Sequence, residues 1–96
     1  MEKFMIADVV VPTAGKEAGS LYYVVGLEGD NLLLANGKNR SLEKPKRKKR
    51  KHAQLVLRFE TRVAEKLSAG DKVLDSELRR DLARISQEMQ SKAIGG

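Results

Sequence analysis

Between Lys44 and His52 the chain reads Lys-Pro-Lys-Arg-Lys-Lys-Arg-Lys-His, and no other stretch restricts the fold as much. Its first eight positions carry seven positive charges and no acid. Residues 1–43 hold four basic and six acidic side chains, and residues 53–96 hold eight and seven. The formal net charge of +6 is therefore concentrated in this one block. Seven like charges so close together repel one another and demand full solvation or a neighbouring polyanion. Pro45 and the repulsion predict an extended connection here rather than a helix. The favoured polyanion is nucleic acid, because each neutralised phosphate releases condensed counterions.

Regular elements are expected on either side of the run. Ala7–Pro12 reads as a short strand, with Val9, Val10 and Val11 β-branched and Pro12 closing it. Thr13–Gly19 is a loop by its two glycines, Gly15 and Gly19. Ser20–Leu27 is the strongest strand signal, apolar without strict alternation, as expected where both faces find cover. Residues 28–31 form a turn by composition, and Asn31–Ala35 returns through Leu32, Leu33 and Leu34. Asn36-Gly37 predicts a two-residue hairpin turn into a further strand over Lys38–Leu42. After the basic run, His52–Phe59 predicts the last strand. Five short strands with tight turns read as a small, strongly bent β-barrel.

The tail changes period. Val63, Ala64 and Leu67 lie at helical spacing over Thr61–Ala69, and Gly70 fits a C-terminal cap. A second helix is expected from Asp75 as N-cap, with Glu77 at the positive end of the dipole. Its apolar stripe is Leu78, Leu82, Ile85 and Met89, opposite Arg79, Arg80, Arg84 and Glu88. Leu82 and Ile85 are expected to bury against the barrel, and Ala93–Gly96 to fray. The expected division is a barrel over 1–60, containing the basic segment 44–52, and a helical extension over 61–96.

A chain of 96 residues buries about 60–70 % of its unfolded surface, enough for one modest core. With 41 % apolar residues a folded domain is expected rather than a disordered chain. No apolar run approaches the ~20 residues of a membrane span, and the first residues lack the pattern of an export signal. A cytoplasmic protein with no membrane partner is expected. There is no cysteine and a single histidine, so neither a disulfide framework nor an imidazole metal site is expected. No nucleophile, base and acid order or phosphate-loop spacing appears, so no enzyme, metal or cofactor is expected.

Val9-Val10-Val11, Gly15-Lys16-Glu17-Ala18-Gly19, Leu21–Val25 and the turn into Leu32–Asn36 together resemble the KOW motif. That motif occurs in ribosomal proteins and transcription elongation factors that bind RNA. With Arg40, the Lys/Arg run and Lys51-His52 added, the chain looks like bacterial KOW-domain RNA-binding proteins related to archaeal and eukaryotic large-subunit ribosomal proteins. The resemblance covers roughly residues 7–58. It implies a mainly β fold of SH3-like barrel type followed by one or two helices. The Gly15–Gly19 loop and the basic segment would face structured ribosomal RNA. Family members commonly carry Arg where Lys16 stands, and lysine keeps the charge without the bidentate fork.

The expected phosphate contacts are Lys44, Lys46, Arg47, Lys48, Lys49, Arg50 and Lys51. Lys16, Lys38 and Arg40 form a second line, and His52 adds a hydrogen bond. Gly15 and Gly19 are read as structural: Gly19 permits a bend into the strand. Tyr22 and Tyr23 should point to opposite faces of a strand. One is then core, and the other either packs at the surface or stacks on a base. The competing reading is a protein-interaction module that uses the barrel groove or the second helix to bind ribosomal or translation-machinery proteins.

Overall fold

A computed structural model describes residues 3–16, 18–58 and 60–95, with side chains described as far as Gln90. Strands β1 (Val9–Pro12), β2 (Tyr22–Glu28), β3 (Asn31–Ala35), β4 (Lys46–Lys49) and β5 (Ala53–Leu57) form one antiparallel sheet in the order β4-β3-β2-β1-β5. A 3₁₀ turn over Arg50–His52 joins β4 to β5. Helices α1 (Arg62–Ala69) and α2 (Asp75–Gly95) follow. The sheet is not closed: β4 and β5 are its edges, and no ladder joins them among the described residues.

The sheet bends at two irregularities. Val9 pairs with Leu57 but Val10 with Leu55, so Val56 is the extra residue on β5. Val24 pairs with Leu34 but Gly26 with Leu33, so Val25 bulges from β2. Each bulge sharpens the local twist and turns the strand. The first strand is shorter than expected because Ala7 stands in the left-handed region, with φ 78°. Asp8, fully buried, turns its carboxylate inward to Arg58, whose Nε and Nη2 each donate at 2.8 Å. The backbone N–H of Met5 donates to the same carboxylate at 2.8 Å.

Both faces of the sheet are covered, which explains the unbroken apolar run of β2. On one face Val10, Tyr22, Val24, Leu32 and Leu34 pack together under Phe4. On the other, Val9, Tyr23 and Ala35 meet Val63 and Ala64 of α1 and Leu78, Leu82 and Ile85 of α2. Burying a side chain such as Leu78 stabilises by about 1.5–3 kcal/mol. Three positions of the expected stripe are thus core, while Met89 stays 45 % exposed.

Tyr22 and Tyr23 do face opposite ways, but both are core, at 1 % and 0 % exposure, so neither is placed to stack on a base. The Tyr23 hydroxyl joins the sheet to both helices. It lies 2.9 Å from Thr61 Oγ1 and donates to the carboxylate of Asp81. Burial, followed by the hydrogen bond to Asp81, pushes this phenol well above its ordinary pKa.

Helix α1 is bounded as its sequence requires. Thr61 Oγ1 accepts from the Ala64 N–H at 3.0 Å, and Gly70 takes φ 77° at the other end. The N–H groups of Gly70 and Asp71 bond back to the carbonyls of Leu67 and Lys66, closing a Schellman turn. Helix α2 begins differently from expectation. Asp75 is its first helical residue, not its cap, and its Oδ1 accepts from the Leu42 N–H at 2.8 Å. Glu77 instead reaches back to the Leu74 N–H at 3.2 Å and takes a 3.0 Å bond from Lys66. The Lys66 bond, then the Leu74 amide, hold the Glu77 carboxyl below its usual pKa. The helix runs to Gly95, past the point where fraying is expected; Gly96 lies outside the described residues.

Two expectations fail between β3 and β5. Asn36-Gly37 is not a two-residue hairpin turn, and Lys38–Leu42 is not a strand. Asn36 Oδ1 accepts from the N–H groups of both Lys38 and Arg40 at 3.0 Å, folding residues 36–40 into a tight loop. Gly37 takes φ 75° and lies buried against the first turn of α2. The fourth strand is the basic run itself, so the extended connection expected there is a paired sheet edge ending in a 3₁₀ turn. The last strand occupies Ala53–Leu57 within the expected 52–59, and Phe59 lies outside the described residues.

Candidate nucleic-acid interface

The basic run tolerates strand geometry because alternation splits its charges between two faces. In the β3–β4 ladder Lys46 stands opposite Leu34 and Lys48 opposite Leu32, so both lysines share the face of those core leucines. Each is half-buried. Arg47 and Lys49, opposite Leu33 and Asn31, are exposed on the other face. Pro45 immediately precedes β4 and donates nothing to the ladder, a position that proline accepts.

Lys48 ties this edge to the β1–β2 connection. Its Nζ donates to the Ala14 carbonyl at 3.2 Å, and a Cβ on Gly15 would stand 3.4 Å from the same nitrogen. The Thr13 N–H donates to the His52 carbonyl at 2.9 Å, pinning the start of that loop to the 3₁₀ turn. Lys16, exposed on the loop, is thereby brought to the side of the basic strand. Glu17, in the same loop, lies outside the described residues. Gly15 and Gly19 both take φ 90°, which favours glycine, and a Cβ on Gly19 would meet open space.

The remaining candidates fall in three places. Arg50, Lys51 and His52 form the 3₁₀ turn, where Lys51 is exposed and the other two are half-buried. The Arg50 N–H donates to the Asp30 carbonyl at 3.0 Å, and Arg50 Nε is buried with no partner among the described residues. Lys44 is exposed just before β4, in a turn closed by its N–H on Ser41. Lys38 and Arg40 sit apart from the run, on the loop that packs against α2.

Arg47 pairs with Glu28 at 2.6 Å, but both side chains are more than half exposed, and such surface pairs contribute about 0–1 kcal/mol. A phosphate can displace this contact at little cost. A charged edge also keeps β4 from pairing with foreign strands, which needs far fewer than seven charges. The arrangement is therefore a cationic sheet edge: the loop that carries Lys16 is fastened to the Lys48 face of β4, Arg47 and Lys49 are exposed on the opposite face, and Lys51 is exposed on the turn that follows.

Arg79 of α2 carries no binding signal in the sequence, where it belongs to the polar face of a helix. Its Nη1 points to the Gly37 carbonyl at 3.5 Å, placing it beside Lys38. Only the fold joins the two, since they are 41 positions apart in the chain. Among the described residues no group of three His, Asp or Glu side chains could hold a metal ion, and no helix is long and apolar enough to cross a membrane. No protein-family model matches the chain, and no curated protein matches it.

Proposed function

We propose that this chain is an RNA-binding protein of the SH3-like KOW type, associated with the ribosome through structured ribosomal RNA. The observation that carries the reading is the Lys48–Ala14 bond, which fastens the loop of the resembled motif to the most basic strand of the sheet. The five-stranded order, the two bulges and the 3₁₀ turn before the last strand support the barrel type. The exposed cations supply electrostatic capture of phosphates, and the backbone ladder fixes their spacing. Contacts of this kind position an RNA by its shape rather than its base sequence.

The experiment is sedimentation of a lysate through a sucrose gradient, with and without ribonuclease, following the protein by antibody. It should travel with ribosomal particles or their precursors and move to the top after digestion. A protein that stays at the top in both gradients contradicts ribosome association. One that remains with the particles after the RNA is digested is held by protein instead.

A further inference from the structure

A groove of about 420 Å³ lies between the end of the β1–β2 connection, the 36–40 loop and one side of α2. Its polar rim is Ser20, Asn36, Lys38, Arg79 and Ser86, and Leu21 and Leu82 line its floor. We propose that this groove is a second phosphate-binding site for the same RNA, with Lys38 and Arg79 as its cations. The inference rests on the RNA-binding reading above and extends it onto α2.

Three observations point there. The first is charge: two cations and two serine hydroxyls converge, and no carboxylate lines the groove among the described residues. The other surfaces of α2 differ. Arg84 is spent on Asp81 at 2.7 Å and Glu88 at 3.0 Å, and Glu77 and Asp81 line the hollow beside Arg80. The second is the state of Arg79. Its one side-chain hydrogen bond among the described residues, 3.5 Å to the Gly37 carbonyl, is long, so the planar fork keeps donors for a bidentate phosphate contact. The third is continuity. The segment that accepts Lys48 at Ala14 lines this groove with Gly19 and Ser20, so one loop borders both cationic surfaces. An RNA laid along β4 and Lys16 meets Lys38 and Arg79 at the far end of that loop. The apolar floor lowers the local dielectric and strengthens each charge contact.

The test measures affinity for a fluorescent ribosomal RNA hairpin at several salt concentrations, for the full chain and four variants. Two released counterion contacts reduce the slope of log affinity against log salt by about 1.4–1.8. Lys38→Gln with Arg79→Gln should show that reduction, and Arg79→Lys alone should keep the wild-type slope. Ser86→Glu, which places a carboxylate in the groove without removing a cation, should weaken binding even if the double variant folds poorly. Thermal melting checks each variant. If the double variant and Ser86→Glu both bind like wild type, while Arg47→Gln, Lys49→Gln and Lys51→Gln together flatten the slope, this site is overturned and the RNA reading stands. If the wild type shows no salt-dependent RNA binding, both fall. If a polyglutamate peptide binds the wild type, is lost in the double variant, and the RNA slope is unmoved, the groove serves an acidic protein segment and the proposal is refuted.

Discussion

Gly37→Ala should be among the most damaging single-methyl changes this chain can suffer. Gly37 is buried at φ 75°, and a Cβ there would overlap the carbonyl oxygen of Asp75 and lie 2.9 Å from the backbone nitrogen of Arg79. These are backbone atoms in the first turns of α2, so no side-chain rotation relieves the clash. Left-handed backbone costs a non-glycine residue about 1–2 kcal/mol, and forcing a methyl into packed structure adds about 1–3 kcal/mol. Relief requires α2 to withdraw, which strains the Asp75–Leu42 bond and loosens Leu78 beneath it. A loss of about 2–5 kcal/mol follows, against a total stability of about 5–15 kcal/mol. At about 4–8 °C per kcal/mol, the melting temperature should fall by at least about 8 °C. Gly29→Ala is the control: φ is 59° there too, but a Cβ meets open space, so only the conformational cost applies. Thermal unfolding of both variants by circular dichroism measures the difference. If Gly37→Ala melts no lower than Gly29→Ala, the contact between the 36–40 loop and α2 is not as described.

The other stability predictions follow from buried contacts. Leu82→Ala, at a site 6 % exposed between α2 and the sheet, should cost about 2–5 kcal/mol by urea unfolding; a loss under 1 kcal/mol means that α2 is not part of the core. Asp8→Asn breaks a pair whose acid is fully buried and whose arginine is 34 % exposed, and should cost about 2–4 kcal/mol. Because the folded state raises the Tyr23 pKa, the unfolded chain releases that proton first as pH climbs. Stability from this group is fully present below about pH 10, the ordinary phenol value, and falls above it. Tyr23→Phe should remove that alkaline dependence; a variant that loses stability above pH 10 as steeply as wild type refutes the assignment. Gly19→Val, at φ 90°, should lower the melting temperature more than it lowers affinity for RNA.

Much of this architecture is written locally. Asn31–Ala35 forms a strand between the residues that its turn signals mark, and α1 takes the Thr61 and Gly70 caps that its sequence offers. What local pattern hides is partnership at a distance. Asn36-Gly37 has the composition of a tight hairpin, but the glycine is needed because a helix 38 residues later presses on it. Asp75 has the chemistry of a cap, yet its carboxylate is claimed by the Leu42 amide. The Lys/Arg run conceals a strand because its charges suggest repulsion, whereas alternation and an edge position relieve it. The candidate site divides the same way. Its cations are legible as composition, but the joining of Lys48 to Ala14 and of Lys38 to Arg79 depends on tertiary structure.

If the cations exposed along β4 and its 3₁₀ turn meet RNA phosphates, removing them must change how binding depends on salt. Arg47→Gln, Lys49→Gln and Lys51→Gln together remove three such charges at exposed positions, where substitution changes stability by only about ±0.5 kcal/mol. With about five contacts in the wild type, a fourfold rise in salt should weaken its binding to a ribosomal RNA fragment by about two to three orders of magnitude. The triple variant should show a slope lower by about 2.1–2.7, equally on an unrelated duplex of similar shape. If the triple variant folds normally and keeps the wild-type slope, the basic strand is a charged sheet edge and nothing more.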